Sequence, residues 1–298
     1  MTGTPRRRFL ASAGALALAA CAGQEGLDPF APKRASGYVE VDGGRLYYET
    51  AGRGEPVVFL HAFALDTRMW DDQYEGLARE FRVVRYDLRG FGRSTVPQPG
   101  RAYSHADDLA ALLAHLEADR PHVVGASMGG RCALDFAVTR PDALRSIVVI
   151  DAVIGGWPWS REWLQMYAPV IRAGRAGDLA AAKAAWLALP LFAPLRANAP
   201  LDARFARMVE AYSGWHFVHA DPERRVAPPT LSQLGKIRAA TLAMVGDRDL
   251  PEFQRMAETI ERQVANARRL GVPAVGHFPN MESPELVTKS LRAFFARA

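Results

Sequence analysis

Cysteine is nearly absent from this chain of 298 residues, which contains only Cys21 and Cys132. So few cysteines provide no disulfide framework, and stability has to come from a packed core. Cys132 lies in an apolar stretch without a histidine or a cluster of positive charge beside it, so we expect a buried, unreactive thiol. We expect no disulfide bond.

Charge of one sign is in small excess, and metal-binding and phosphate-binding patterns are missing. The formal net charge is +5, and it falls to +2 when the three arginines at residues 6–8 are left out. Basic residues are scattered, which gives no electrostatic case for nucleic acid. His216 and His219 lack a third zinc ligand nearby, and the glycines of residues 125–130 lack the lysine of a phosphate-binding loop. We therefore expect no cofactor, no metal and no nucleic-acid partner.

Long apolar runs are also missing. The uncharged run at residues 9–20 has twelve residues, fewer than the about 20 that span a bilayer as a helix. Three arginines precede it, and the sequence RRRFL resembles the twin-arginine export motif. Residues 18–21, Leu-Ala-Ala-Cys, resemble a bacterial lipobox in which Cys21 is lipidated. We interpret residues 1–21 as an export signal and residues 22–36 as a flexible spacer.

This export signal has two possible outcomes. Lipidation of Cys21 would anchor the protein to the membrane at the periplasmic or cell-envelope face, after export across the bacterial cytoplasmic membrane. Cleavage by an ordinary signal peptidase near residues 20–22 would instead release a soluble protein. The lipid anchor is the expected outcome.

The rest of the chain alternates between strand-like and helix-like segments. Hydrophobic residues make up 49% of the chain, which is ample for a large core. Two strand-like runs joined by Asp-Gly-Gly at residues 42–44 predict an antiparallel hairpin. Apolar, β-rich runs then recur between helical segments, which predicts an α/β fold with a mostly parallel central sheet and helices on both faces. These runs are residues 57–60, 83–86, 122–126, 146–150, 241–245 and 268–272.

One long segment interrupts the alternation. Residues 152–236 are helical in composition, are interrupted by prolines and hold five of the six tryptophans. We interpret them as a helical cap inserted into a core formed by residues 37–151 and 237–298. Large aromatic side chains also dominate ordinary packing interfaces, so each tryptophan could simply join cap and core. The predicted pocket residues are Trp157, Trp159, Trp163 and Trp215.

A serine stands where a strand-like run meets a helical one. Residues 125–129 read Gly-Ala-Ser-Met-Gly, and the helical stretch covers residues 128–139. A GxSxG sequence in this setting predicts a tight, strained turn that exposes the Ser127 hydroxyl, which makes Ser127 a candidate nucleophile. Asp249 follows a later apolar run, and His277 lies close to the C-terminus. The chain order is therefore serine, acid, histidine.

Motifs in this order resemble the α/β-hydrolase fold family over residues 37–298. They are LHAF at residues 60–63, YDLRGFGRS at residues 86–94, the GxSxG turn, and the GDRD and VGHF sequences that contain Asp249 and His277. The resemblance is nearest to serine esterases, enol-lactonases and cofactor-free haloperoxidase-like perhydrolases. It implies the α/β-hydrolase fold, a cap that roofs the active site, and a small-molecule ester or lactone substrate.

The resemblance also implies roles for the three side chains. Ser127 would attack the substrate carbonyl, His277 would take the serine proton, and Asp249 would hold the imidazole in the required tautomer. Two other acids compete with Asp249. Asp247 lies in the same loop, where we expect a turn-forming side chain, and Asp151 ends the preceding core strand, where some family members carry their acid.

The oxyanion hole is where this chain departs from the family. The resemblance places its two backbone N–H donors at Phe63 and Met128. Most relatives have glycine where this chain has Ala62, and a Cβ there could restrict the turn and misdirect the N–H of Phe63. Turnover would then be lower with the same type of reaction. We expect His61 to brace this loop.

The expected function is that of a serine hydrolase that cleaves a carboxylic ester or lactone through an acyl-enzyme. Serine in the turn argues against the dehalogenase and epoxide-hydrolase branches, which carry aspartate there. A perhydrolase or a C–C bond hydrolase would use the same three residues, and the sequence leaves these alternatives open. A non-catalytic ligand-binding protein on a hydrolase scaffold is the alternative outside the enzymes.

Overall fold

Eight strands form one sheet in the computed structural model, which describes residues 1–3 and 32–298. Across the sheet their order is β1-β2-β4-β3-β5-β6-β7-β8. The first two strands form the predicted antiparallel hairpin, β2 pairs antiparallel with β4, and all other neighbours are parallel. The strands are β1 Arg34–Val41, β2 Gly44–Ala51, β3 Pro56–Leu60, β4 Arg82–Tyr86, β5 His122–Ala126, β6 Ser146–Ile150, β7 Ala240–Gly246 and β8 Ala267–Val272.

Helices cover both faces of this sheet. Every residue of β5 and β6 is buried, and successive side chains of a strand point to opposite faces, so neither face of these strands is open to solvent. The predicted α/β fold class is confirmed. The α-helices of the described residues are α1 Asp71–Leu77, α2 His105–His115, α3 Met128–Thr139, α4 Arg161–Arg175, α5 Leu179–Leu187, α6 Ala193–Arg196, α7 Ala199–Ala211, α8 Trp215–Val218, α9 Pro251–Gln263, α10 Pro279–Glu282 and α11 Pro284–Phe295.

The connection between β6 and β7, residues 151–239, contains helices α4 to α8. We call it the inter-strand segment. Ser160 caps α4, and its backbone N–H and hydroxyl both donate to the Glu252 carboxylate on α9, at 2.7 and 2.8 Å. Arg204 on α7 donates to Asp72 on α1 at 2.7 Å. These two polar contacts fix the segment against helices of the sheet region.

Two of the sequence predictions concern membranes and export. Residues 4–31, which contain most of the predicted export signal and spacer as well as Cys21, lie outside the described residues. Within the described part of the chain, no single helix is long and apolar enough to cross a membrane. One bent pair, Leu179–Leu187 with Pro190–Arg196, meets that test on length and composition only.

Candidate active site

Ser127 occupies a strained turn between β5 and α3. Its φ of 51° and ψ of −111° are unusual for a residue with a side chain. Its N–H donates to the carbonyl of Ile150 at 2.9 Å, which helps to hold the turn in place. A Cβ on Gly125 would lie 2.3 Å from the Gly129 carbonyl oxygen, and a Cβ on Gly129 would lie 2.3 Å from that of Leu60. The backbone therefore needs both flanking glycines to make this turn.

Three side chains that are distant in sequence meet at the carboxyl ends of parallel strands. Ser127 follows β5, Asp249 follows β7 and His277 follows β8. The Ser127 Oγ lies 3.0 Å from His277 Nε2, and His277 Nδ1 lies 2.8 Å from Asp249 Oδ2. Asp249 Oδ1 also accepts from the backbone N–H of Leu250 at 2.7 Å. The hydroxyl, imidazole and carboxylate thus form one continuous hydrogen-bonded chain.

The hydrogen-bonded side chains of His277 and Asp249 are almost completely shielded from water. The side chains of His277 and Asp249 are 2% and 0% exposed. The Phe253 ring packs 4.3 Å from the imidazole, centroid to centroid. The Glu282 carboxylate accepts from the N–H groups of Gly276 and Phe278, at 2.8 and 3.1 Å. Packing and hydrogen bonds on both sides of His277 therefore hold its loop in one position.

The two competing acids have different surroundings. Asp247 is exposed, whereas Asp249 is buried against His277. Asp151 is also buried and adopts a positive φ of 44°. Its Oδ1 accepts from the N–H of Gly246 at 3.1 Å. The structure therefore brings Asp249, rather than Asp247, to the imidazole and adds a second carboxyl behind it.

Asp151 and Asp249 form a close pair of buried carboxyls. Asp151, Asp249 and His277 each place one ligand-type atom within 4.8 Å of the others. Burial, followed by the charge of Asp249, raises the pKa of Asp151 well above its usual value. Asp249 accepts hydrogen bonds from His277 and Leu250, so the proton of the pair belongs on Asp151. Both ring nitrogens of His277 are already in the hydrogen-bonded chain, which a metal held by these three groups would have to break.

The predicted oxyanion-hole donors remain available. The N–H groups of Phe63 and Met128 donate to no other residue that the structure describes. The loop after β3 places its positive φ, 61°, at Ala64 and not at Ala62, so the Cβ of Ala62 fits ordinary backbone geometry. His61 Nε2 accepts from the Leu88 N–H at 2.9 Å, and Nδ1 donates to the Ala62 carbonyl at 2.8 Å. Both nitrogens of His61 thus brace the loop.

A cavity of about 300 Å³ opens beside Ser127. Much of its lining is apolar and aromatic, and two of these lining residues, Trp159 and Trp163, stack with ring centroids 4.3 Å apart. Apolar pockets with a few placed polar groups are typical of small-molecule sites. The apolar lining residues are Phe63, Met128, Val153, Trp159, Trp163, Tyr167, Trp186, Leu191 and Phe253.

The cavity also has polar lining residues besides Ser127 and His277. Arg131, one turn beyond Ser127 in α3, donates to Glu223 at 2.9 Å and to Asp135 at 2.7 Å. Burial alone would raise the pKa of Glu223, but the surrounding positive charges, Arg131 first among them, together outweigh it and lower that pKa to about 2. Arg131 and Glu223 therefore form a charged, mutually paired unit. These polar lining residues are His105, Arg131, His216, Asp221, Glu223 and Arg225.

The comparisons with known proteins agree with the fold. A family profile described as alpha/beta hydrolase fold matches residues 55–284. The chain belongs to the α/β-hydrolase fold family. The resemblance and the fold predicted from the sequence are thereby confirmed.

The relatives of this α/β-hydrolase differ in their described activities. A soluble epoxide hydrolase from Corynebacterium sp. (strain C12) is 34% identical over 116 residues, which are 39% of this chain and 41% of that protein. The chain spans about two fifths of the length of several curated relatives that it matches. The activities described for these relatives therefore cannot be assigned to this protein from such partial matches.

Solved structures match over more of the chain. An esterase from Thermogutta terrifontis has a TM-score of 0.70 and 27% identity, and the match covers 89% of this chain and 98% of that one. Est816, described as an N-acyl homoserine lactone degrading enzyme, has a TM-score of 0.71 and 28% identity, with coverage of 87% and 100%. Both share the fold over nearly their whole length.

The cavity of this α/β-hydrolase differs in part from the sequence prediction. Trp159 and Trp163 line it, but Trp157 lines a neighbouring cavity. Trp215 stacks instead on His219, one helical turn away, with centroids 5.0 Å apart. Trp186, which was not among the four predicted pocket residues, takes a place on the cavity wall. The packing of the inter-strand segment decides these positions.

Most of the polar lining residues have no role in the sequence prediction. His105 was not singled out and His216 entered only as an incomplete zinc ligand, but both line the cavity beside Ser127. Arg131 was the one detectable signal, because it follows the nucleophile by one helical turn on α3 and can therefore face the same side. The polar lining residues that come from the inter-strand segment have no such fixed spacing from the nucleophile in the sequence.

Proposed function

We propose that this α/β-hydrolase is a serine hydrolase that cleaves a carboxylic ester or lactone through an acyl-enzyme. The observation that carries the proposal is the buried chain from Ser127 Oγ through His277 to Asp249, with distances of 3.0 and 2.8 Å. A serine hydroxyl is a weak nucleophile by itself and needs a base of this kind within hydrogen-bond reach. The Ser127 end of these hydrogen-bonded side chains lies at a cavity large enough for a small substrate.

The first step forms the acyl-enzyme. Ser127 Oγ attacks the carbonyl carbon of the substrate while His277 Nε2 takes the hydroxyl proton. Asp249 holds the Nδ1 proton and stabilises the imidazolium that forms. The N–H groups of Phe63 and Met128, which have no partner among the described residues, stabilise the oxyanion. His277 then gives its proton to the departing alkoxide, and the alcohol leaves.

The second step restores the enzyme. Water attacks the acyl carbonyl, His277 takes a proton from that water, and Ser127 regains its proton as the carboxylic acid leaves. With a lactone, the alcohol and acid products belong to one molecule. With hydrogen peroxide in place of water the same step would yield a peracid, so a peroxide competition assay distinguishes the perhydrolase alternative.

Two features support an ester or lactone rather than an epoxide as the substrate. Epoxide-hydrolase members of the family carry aspartate in the nucleophile turn, whereas this chain has Ser127. The solved structures that match nearly the whole chain include an esterase and a lactone-degrading enzyme. We also propose that residues 152–236 act as the cap, because Trp159, Trp163 and Trp186 from that range line the cavity.

A fluorophosphonate probe tests the proposal directly. It should modify Ser127 in the wild-type protein, and Ser127→Ala and His277→Ala should each abolish p-nitrophenyl ester hydrolysis without loss of the fold by circular dichroism. Asp247→Asn is the matched control, since Asp247 lies exposed in the same loop as Asp249, and it should keep full activity. Hydrolysis by the Ser127→Ala protein would refute the mechanism. An unlabelled Ser127 without any ester hydrolysis would favour a non-catalytic binding protein.

We further propose export and lipid anchoring at Cys21, from the sequence of residues 1–21 alone. In cells, Cys21→Ser should move the protein from the membrane fraction to the soluble fraction, because the lipid attachment atom is lost. Replacing the arginines of residues 6–8 with lysines should reduce export. A membrane fraction that the Cys21→Ser change leaves intact would contradict lipidation.

A further inference from the structure

Two arginines and two acids line the cavity beside Ser127, so their formal charges balance. They are Arg131, Arg225, Asp221 and Glu223. His105 and His216 also line the cavity but add no charge near neutral pH, because burial lowers the pKa of His105 to about 3 and that of His216 to about 4. Loss of any one of the four charges would therefore leave one net charge among the lining residues.

Glu223 pairs with both of these arginines. Its two carboxylate oxygens accept from Nη1 and Nη2 of Arg131, at 2.9 and 3.0 Å. The same carboxylate lies 3.0 Å from Nη2 of Arg225. Asp221, by contrast, lies 4.0 Å from Arg225 and accepts from the Tyr103 hydroxyl at 2.9 Å. Glu223 is therefore the acid on which the charge balance of the cavity depends most.

This pair lies close to the nucleophile and is buried. The backbone N–H of Arg131 donates to the Ser127 carbonyl at 3.0 Å, which closes the first turn of α3. The side chains of Arg131 and Glu223 are 6% and 4% exposed. Water and salt screen buried charges weakly, so a charge here acts on a substrate over several ångströms without touching it.

The backbone holds residue 223 in place independently of its charge. Glu223 forms a β-bridge with Tyr103, and the next N–H, that of Arg224, donates to the Tyr103 carbonyl at 2.7 Å. Against the effect of burial, the surrounding positive charges, with Arg131 first among them, lower the pKa of Glu223 to about 2. Glu223 is thus ionised near neutral pH, and glutamine can replace it with the same shape.

We propose that Glu223 is a specificity-determining residue that keeps the cavity selective for uncharged substrates by pairing with Arg131 and Arg225. The substrate class is then an ester or lactone whose acyl and alcohol parts both carry no charge. The proposal rests on the serine hydrolase function and specifies its substrate. Loss of the Glu223 charge would leave a net positive charge beside Ser127 and favour esters that carry a carboxylate.

Three p-nitrophenyl esters measure this selectivity. Their acyl chains have the same length and end in a methyl group, a carboxylate or a trimethylammonium group. Each kcat/KM is divided by the rate of spontaneous hydrolysis to remove differences in intrinsic reactivity. The wild-type protein should prefer the methyl ester to both charged esters. Moving any charged group from water into a largely apolar cavity would also give this preference, so the variants decide.

Glu223→Gln keeps the shape of the side chain and removes one negative charge. The ratio of kcat/KM for the carboxylate ester to that for the methyl ester should rise by about tenfold or more, as a charge a few ångströms away in a poorly screened site allows. The corresponding ratio for the trimethylammonium ester should fall. A displaced segment without a charge effect would not move the two ratios in opposite directions.

Arg225→Gln makes the reciprocal change. It should shift both ratios the other way, and by less, because the Arg225 side chain is 58% exposed. The variant with both Glu223→Gln and Arg225→Gln should return the ratios towards the wild type. Glu210→Gln is the matched control, since Glu210 is an exposed acid on α7 of the same segment and does not line the cavity. If Glu223→Gln fails to fold, Arg225→Gln still decides.

Several outcomes would overturn the role of Glu223. They are a wild-type preference for a charged ester, unchanged ratios in Glu223→Gln, shifts in the same direction in Glu223→Gln and Arg225→Gln, and an equal shift in Glu210→Gln. In all of these an ester is hydrolysed and Ser127 is labelled, so the serine hydrolase function stands. Without labelling or hydrolysis of any ester, the proposed function itself fails.

Discussion

Replacing Asp151 with asparagine tests whether the carboxyl behind the triad is protonated. Asp151 is 1% exposed, and its Oδ1 accepts from the Gly246 N–H at 3.1 Å. Burial and the nearby Asp249 raise its pKa well above the usual value. An amide has the shape of a carboxylic acid, and asparagine tolerates the positive φ of 44° found here. Asp151→Asn therefore keeps the hydrogen bonds and removes only the titration.

The direction of the pH effect follows from the number of bound protons. Above about pH 4 the unfolded chain has lost the Asp151 proton, whereas the folded protein keeps it up to the raised pKa. Folding therefore takes up a proton, and the wild-type free energy of unfolding loses about 1.4 kcal/mol for each pH unit in this window. The variant has no such loss. Relative to the wild type, its free energy of unfolding should rise by about 1.4 kcal/mol for each pH unit between the unfolded-state pKa and the raised folded-state pKa of Asp151.

Urea unfolding followed by tryptophan fluorescence measures this difference. Curves for both proteins at several pH values give the two free energies of unfolding, with equal slopes on denaturant as the check that the comparison is valid. Esterase activity of the variant near neutral pH should stay within about threefold of the wild type, because Asp249 remains paired with His277. Parallel pH dependences of the two proteins would refute a protonated Asp151. A large loss of activity would instead give Asp151 the role of triad acid.

Three further changes have defined expected outcomes. Asp249→Asn should lower kcat by about 10⁴-fold, because an amide favours the wrong imidazole tautomer, while Asp247→Asn changes little; equal losses in the two would contradict the assignment. Gly125→Ala should prevent accumulation of folded protein in a thermal unfolding assay, since its Cβ would lie 2.3 Å from the Gly129 carbonyl oxygen. Glu282→Gln keeps only one acceptor for two backbone N–H groups, so kcat should fall by about tenfold with KM nearly constant; a change confined to KM would argue against a positioning role.

Sequence patterns predicted the elements of the core closely. The helix expected at residues 128–139 is α3, Met128–Thr139, and the run expected at residues 146–150 is β6, Ser146–Ile150. Strands buried on both faces carry continuous apolar runs, and these runs end where turn residues begin. Such signals are local, so they can be read along the chain.

The choice of acid shows where local signals end. Asp247 and Asp249 occupy one short loop and have the same side chain, and family resemblance rather than the residues themselves favoured Asp249. In the structure Asp249 is buried against His277 and Asp247 is exposed. Ala62 is a similar case, because the loop makes its positive-φ turn at Ala64. Both outcomes depend on backbone direction at single residues.

The sequence by itself determined the order of core strands and helices, the strained serine turn, and the three side chains offered for catalysis. Tertiary structure decided which aromatic rings line the cavity, and it placed Trp186, His216 and His105 on it and the carboxyl of Asp151 behind Asp249. The physical reason is the range of the interactions. Hydrophobic periodicity and turn chemistry act over a few neighbouring residues. The cavity walls depend instead on how a segment of many short helices packs on a sheet, and that packing involves contacts between residues far apart in the chain.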